Sequence, residues 1–277
     1  HYIKRLSLAT CFFCHVLSNN RLNFKADIAL VLGTGWQALE NYFDILDSLA
    51  YEEIPNYPIA TVENHRNKLI CSMIGSVPVL IHSGRFHYYE GYDMQEVCFY
   101  VLVLKLLGVS KIIITNTVGS VNSHIEVGDI VLITDHINMF PQNPLRGKNF
   151  YSQGLRFPDM SSVYESRFIS IFKSEALKHK IKIKEGIYWG WQGPSLETPA
   201  EYRMINILGA DVVGMSSIPE VIMAKYLDMS VSMISIVSNK CFPTSIIQET
   251  KIEDIILTVE NTIPQLSNIL KKVLSLI

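Results

Sequence analysis

Arg85, His87, Tyr89 and Glu90 lie within six positions of one another in "GRFHYYEGY" (84–92), directly after the apolar run "VPVLIHS". A guanidinium forks two hydrogen bonds onto a phosphate, so Arg85 is a natural anion ligand. "GTG" (33–35) permits a tight turn that exposes N–H groups beside the Thr34 hydroxyl, a seat for an oxyanion. It is neither GxGxxG nor a Walker loop, because Trp36 and Gln37 follow and no lysine does. Thr117 in "TNTVGS" and Ser216 in "GMSS" offer hydroxyl or backbone donors, and His65 in "ENHRNK" a further donor. Taken singly these are a surface charge, ordinary turns and a loop histidine. Converging on one crevice they describe an anion pocket built without a metal, since no HExxH, paired CxxC or aspartate triplet supplies ligands. Glu197 in "GPSLET" stands just before a helix start. It is either a charge favoured by the helix dipole or a buried carboxylate that accepts N–H groups of a heterocycle. Tyr188 and Met215 read as core by residue type.

The elements that must position these groups are legible as alternating patterns. Apolar, β-branched runs occur at 26–35, 77–85, 111–120, 129–137, 186–195, 210–217 and 231–240, the signature of strands buried on both faces. Helical spacing appears at 94–108, 165–180 and 198–209, and again in the tail at 253–277, where Pro264 is expected to kink or break the helix. Thr198 with Glu201 three residues on forms a capping box. Strand–helix alternation without repeats or low-complexity linkers predicts a single α/β domain over 1–277, with an N-terminal helix and connector at 1–25 and a C-terminal helix at 253–277. Ligands of such sheets bind outside the carboxyl ends of the strands, where all the polar clusters lie.

The totals narrow the classes of function. A chain of 277 residues with 48% hydrophobic and 18% charged residues is a well-packed globule rather than a disordered one. A formal charge of −2 without a basic block gives no signature of nucleic-acid or membrane binding. Five cysteines, odd in number and sparse, predict reduced thiols and a cytoplasmic protein. Cys11 and Cys14 make a lone CxxC whose spacing alone is weak evidence for a metal. The segment "KRLSLATCFFCHVL" superficially resembles a signal peptide, but His15 interrupts it and no small-residue cleavage site follows, so an amphipathic helix is expected.

Together, "GRFHYYEGY", "GPSLETPAEYR" and "DVVGMSSIPEV", with "TNTVGSVN", "VGDIVLITDHIN" and "RFPDMSSVY", resemble the trimeric, low-molecular-mass class of purine nucleoside phosphorylases, in order from about residue 26 to 240. The resemblance implies a nucleoside phosphorylase α/β fold with a mixed central sheet flanked by helices. It also implies a homotrimer and the phosphorolysis of 6-oxopurine nucleosides (inosine, guanosine) in purine salvage, with inorganic phosphate as co-substrate and no cofactor. It assigns Thr34, His65, Arg85, His87, Thr117 and Ser216 to phosphate with Glu90 close by, and Tyr89, Tyr188 and Met215 to ribose. Leu196, Glu197 and Asn239 are assigned to the base, and His87, Glu197 and Asn239 to catalysis. The sequence departs from the pattern in five places, one being that "GTGWQ" lacks a common third glycine. Thr34 replaces a common serine, and Leu196 a common phenylalanine. Lys251 or Ile252 falls where a histidine meets the ribose 5′-OH, and Gln153 where an aromatic residue reaches a neighbouring subunit's site. The lost histidine makes a methylthioadenosine phosphorylase-like enzyme the nearest alternative. A hydrolytic nucleosidase and a homologue that binds nucleoside without turnover are the others.

Overall fold

A computed structural model describes residues 24–62, 65–147 and 154–277. The expected N-terminal helix, the Cys11/Cys14 pair and Gln153 lie outside the described residues. The sheet has nine strands: β1 Ile28–Leu32, β2 Asp44–Ala50, β3 Lys68–Ile74, β4 Val77–Ser83, β5 Lys111–Ser120, β6 Ile130–Asn138, β7 Ile183–Gly190, β8 Val212–Gly214 and β9 Ser230–Lys240. Their order is β2-β3-β4-β1-β5-β8-β7-β6-β9, and β9 also pairs with β5, so the last five strands of that order close on themselves. The sheet is mixed: β1 runs parallel to β4 and β5, whereas β3 is antiparallel to β2 and β4.

The seven apolar runs are all strands, and burial explains why they could be read. Every residue of β1 is buried, with Ala29 and Val31 in one core cluster and Ile28, Leu30 and Leu32 in the other. Strands β2 and β3 were not expected; β2 is largely exposed, and Asp44, Asp47 and Ser48 interrupt its pattern.

The helices are α1 Met94–Val97, α2 Phe99–Leu106, α3 Ser166–Lys178, α4 Pro199–Ile207, α5 Ile218–Tyr226 and α6 Ile252–Leu274. The single helix expected at 94–108 is two, divided at Cys98, whose φ of −93° and ψ of 2° leave the helical basin. The kink or break expected at Pro264 is not an end: α6 continues through it for 23 residues. Helix α5 was missed because almost every residue is buried, which erases the 3.6-residue period. The capping box of α4 forms as expected. Glu201 N–H donates to Thr198 Oγ1 (3.3 Å), and Thr198 N–H donates to the Glu201 carboxylate (2.7 Å). Among the described residues Cys71, Cys98 and Cys241 are free and buried, and no helix is long and apolar enough to cross a membrane.

Candidate active site

The carboxyl ends of β1, β4, β5, β8 and β9 meet the loop after β4, the start of α4 and the start of α6 around a cavity of about 210 Å³. Its wall includes Thr34, Arg85, His87, Tyr89, Thr117, Leu196, Glu197, Met215, Ser216 and Asn239, ten of the residues expected from the sequence. Gly33 lets β1 approach β5 closely, because a Cβ there would stand 2.8 Å from Thr115 O. The Thr117 hydroxyl then donates to Thr34 O at 2.8 Å and ties the two strand ends together.

Arg85 is only 1% exposed, yet it borders the cavity. Nη1 donates to Ser216 Oγ and Ser217 Oγ, both at 2.9 Å, and Nη2 donates to Thr115 O at 2.7 Å. Glu220, wholly buried, supplies the counter-charge, with Oε1 3.8 Å from Arg85 Nε and 3.5 Å from the Tyr100 hydroxyl. Burial pushes the Glu220 carboxyl above its ordinary pKa, and the Arg85 charge opposes that rise. Arg85 Nε and Glu220 Oε2 have no hydrogen-bond partner among the described residues. The pair is a desolvated one in which each charge depends on the other.

His65, His87 and Tyr89 form a stack, with centroids 5.5 Å apart for the histidines and 4.7 Å apart for His87 and Tyr89. His87 Nδ1 is 2.8 Å from Glu90 Oε1, which also accepts the His87 N–H at 2.8 Å. The acidic partner therefore holds the proton on Nδ1 and leaves Nε2 to the cavity. Burial lowers the pKa of His87, and the Glu90 hydrogen bond opposes that fall. Burial alone would raise Glu90, but hydrogen bonds from His87 and Thr61 outweigh it and hold the carboxyl at about 2. Glu90 is thus an anchor for His87.

Two expected ligands stand behind the wall. His65 does not border the cavity. Its Nδ1 is 3.2 Å from the Gln37 amide, and burial, with the neighbouring His87 and Arg85, lowers its pKa to about 3. Tyr188, expected near the ribose, does not border the cavity either. Its ring is fully buried, and its hydroxyl is occupied by Ser216, donating to the carbonyl at 3.0 Å and accepting from the N–H at 3.3 Å.

Elsewhere in the wall, the Glu197 carboxyl is buried with Oε1 unpartnered among the described residues, and desolvation raises its pKa. Asn239 lines the same cavity. Ser238 Oγ donates to Asn239 Oδ1 at 2.8 Å, and Asn239 Nδ2 donates to Cys241 Sγ at 3.1 Å. Leu196 is half-exposed beside them. Ile252 and Ile255 of α6 complete the wall, so Ile252, not Lys251, occupies the position left open between the two. Sequence reading missed Tyr202, Asn116, Ser217 and Glu220. Tyr202 and Asn116 border the cavity; Ser217 and Glu220 brace Arg85 from behind. All four fell within quoted motifs, but nothing in their spacing separates them from packing residues. Among the described residues no cluster of three His, Cys, Asp or Glu side chains is arranged to hold a metal.

The cavity therefore has a cationic, hydroxyl-lined end and an acceptor-bearing, partly apolar end, the two chemistries that an anion and a polar heterocycle require. A sequence model of the phosphorylase superfamily matches residues 27–275, and the chain belongs to that superfamily. Within it, the chain is 44% identical over 212 residues to purine nucleoside phosphorylase 1 of Geobacillus stearothermophilus, covering 76% of this chain and 77% of the relative. Two solved structures from Schistosoma mansoni superpose with a TM-score of 0.88, each covering 98% of this chain and 96% of the other. One is isoform 2 of purine nucleoside phosphorylase in complex with cytosine and ribose-1-phosphate, at 32% identity. The other is purine nucleoside phosphorylase in complex with adenosine, at 29% identity.

Proposed function

We propose that this chain cleaves the N-glycosidic bond of purine nucleosides with inorganic phosphate, yielding free base and ribose 1-phosphate, and that 6-oxopurine nucleosides such as inosine and guanosine are its substrates. The observation that carries this reading is the pairing, in the wall of one cavity, of a buried Arg85 braced on three sides with a buried Glu197 carboxyl whose Oε1 has no partner among the described residues. Phosphate binds at Arg85, Thr34, His87, Thr117 and Ser216, beneath the sugar held by Tyr89 and Met215. Bond cleavage develops oxocarbenium-like charge on the ribose, which the adjacent phosphate stabilises and then captures. Glu197 accepts the N1–H of the base, and Asn239 meets the negative charge that grows on the leaving purine. No side-chain nucleophile and no cofactor enter the scheme.

Ile252 and Ile255 favour a second substrate group. An apolar wall in place of a histidine suits a 5′-alkylthio substituent as well as a 5′-hydroxyl, so 5′-modified nucleosides are tolerated. A cytoplasmic homotrimer belongs to the same reading, and the exposed Leu155 and Phe157 support assembly. The test is base release from inosine with and without phosphate, in the wild type and in Glu197→Ala. Phosphate-dependent hypoxanthine and ribose 1-phosphate, lost in the variant, support the reading. Release without phosphate replaces it with a hydrolase, and binding without release with a non-catalytic protein.

A further inference from the structure

At the Arg85 end, a run of side chains carries hydrogen bonds whose directions follow one from another. Met233 on β9, Asn116 on β5 and Ser217 at the start of α5 are buried, and Ser216 borders the cavity. Asn116 Nδ2 lies 3.2 Å from Met233 Sδ and 2.8 Å from Ser217 Oγ, and Asn116 Oδ1 lies 2.6 Å from Ser235 Oγ. Ser217 Oγ is 2.9 Å from Arg85 Nη1 and 3.2 Å from Ser216 Oγ. The backbone at Ser217 is strained. Its φ is 72° and its ψ −44°, and the Ile218 N–H donates to Ser216 O at 2.9 Å, closing a γ-turn that side-chain-bearing residues rarely adopt.

Hydroxyls donate or accept, and an amide can sit either way round, so most of this run could point in either sense. The Met233 thioether has no hydrogen and only accepts. The end of Asn116 that faces it is therefore the amino group, whose second hydrogen goes to Ser217 Oγ. Ser217 then accepts from Asn116 and from Arg85, which fills both lone pairs, and its own hydrogen goes to Ser216 Oγ. Ser216 Oγ accepts from Ser217 and from Arg85, so its own hydrogen is the valence left for the cavity. Arg85 Nη1 has spent both hydrogens on the two serines. The charge that Nη1 carries thus reaches an anion through the Ser216 hydroxyl.

We propose that Asn116 and Ser217 are positioning residues that fix the Ser216 hydroxyl as a donor, presented to an unprotonated oxygen of the bound phosphate. This rests on the phosphorolysis reading above. The strained turn lies where Ser217 Oγ sits between Arg85 and Asn116, and functional sites are where such strain is retained.

The experiment measures the KM for phosphate at saturating inosine in the wild type, Asn116→Leu, Ser216→Ala and the double variant. Asn116→Leu frees Ser217 to turn its hydrogen elsewhere, and it raises the KM for phosphate on the order of fivefold. Ser216→Ala alone raises it on the order of tenfold. Added to Ser216→Ala, Asn116→Leu changes it by less than about twofold, because the hydroxyl that Asn116 directs is gone. A merely structural role for Asn116 would give the same factor in both backgrounds. Should Asn116→Leu fail to fold, Asn116→Ala takes its place in the same cycle. A KM for phosphate unmoved by the Asn116 substitution, or one that rises equally with and without the Ser216 hydroxyl, overturns the proposal while leaving phosphorolysis intact. A wild type that releases no base, or releases it without phosphate, overturns both.

Discussion

The two ends of the cavity are built on opposite principles. At the phosphate end the charged groups are held by the fold: Arg85 holds Ser216, Ser217 and Thr115, Glu220 balances its charge, and Glu90 orients His87. At the base end Glu197 Oε1 is buried without a partner among the described residues, and Leu196 is half-exposed. A strongly hydrated anion is bound by donors fixed before it arrives, which avoids reorganisation on binding. A neutral base gains its selectivity from an acceptor that only the correct N–H can satisfy. One end is thus tied into the fold, and the other is left to be completed by substrate.

The largest expected effect lies at the engaged end. Arg85→Met lowers phosphate-dependent base release by about 10²–10³-fold or more, and it destabilises the fold by about 3–5 kcal/mol because Glu220 is left as an uncompensated buried charge. Adding Glu220→Gln restores the melting temperature without restoring activity. Recovery of both would break the comparison.

Glu197→Gln gives the converse pattern. Its kcat/KM for inosine falls on the order of a hundredfold, because a carboxamide meets N1–H poorly. The KM for phosphate and the melting temperature hold or improve, since burying the ionised carboxyl, with Oε1 unpartnered among the described residues, is itself a cost. A melting temperature that fell as far as in Arg85→Met would show that the base end is also structural.

The pH profile sharpens the contrast. Glu197 must be ionised to accept N1–H, and desolvation raises its pKa. As pH falls, the KM for inosine therefore rises at a higher pH than for an ordinary glutamate, and titrating KM against pH measures this. Glu90 behaves oppositely. Its folded pKa of about 2 lies below the ordinary value of 4.5, so its stabilisation is present above 4.5 and is lost as pH falls towards 2. Glu90→Gln should flatten that acid loss of melting temperature and, by releasing Nδ1 of His87, raise the KM for phosphate severalfold. The smallest effect is at the α6 wall. Ile252→His places a polar group where the 5′ end of the ribose is expected, and lowers the KM for inosine about two- to fivefold through one new hydrogen bond. An unchanged KM would place the ribose elsewhere.

Legibility in the sequence followed burial and locality. Strand β1 and the capping box at Thr198 were readable because each depends on neighbours in the chain. Helix α5, buried on nearly every side, and strand β2, mostly exposed, lacked the period that betrays an element. In the site, Arg85, Glu197 and Asn239 were found through the family likeness and through chemistry that any ligand would need. Glu220 and Ser217 were not, because their importance lies in which side chain they face. The partner of Arg85 is far along the chain, and no local pattern carries that information. His65 and Tyr188 were placed in contact with ligand for the same reason: the motif names the residue, but only packing decides whether it stands in front of the wall or behind it.

The bond from Arg85 to Ser217 joins positions 132 apart in the chain. No fragment holding only one of them can form the anion seat, so the seat appears late in folding, after the long-range pairing of the sheet. Phosphate in solution should act as a clamp on the folded molecule, favouring it over every partly folded form in proportion to its occupancy. The same co-substrate that attacks the sugar would then help set how long the protein survives between encounters with a nucleoside.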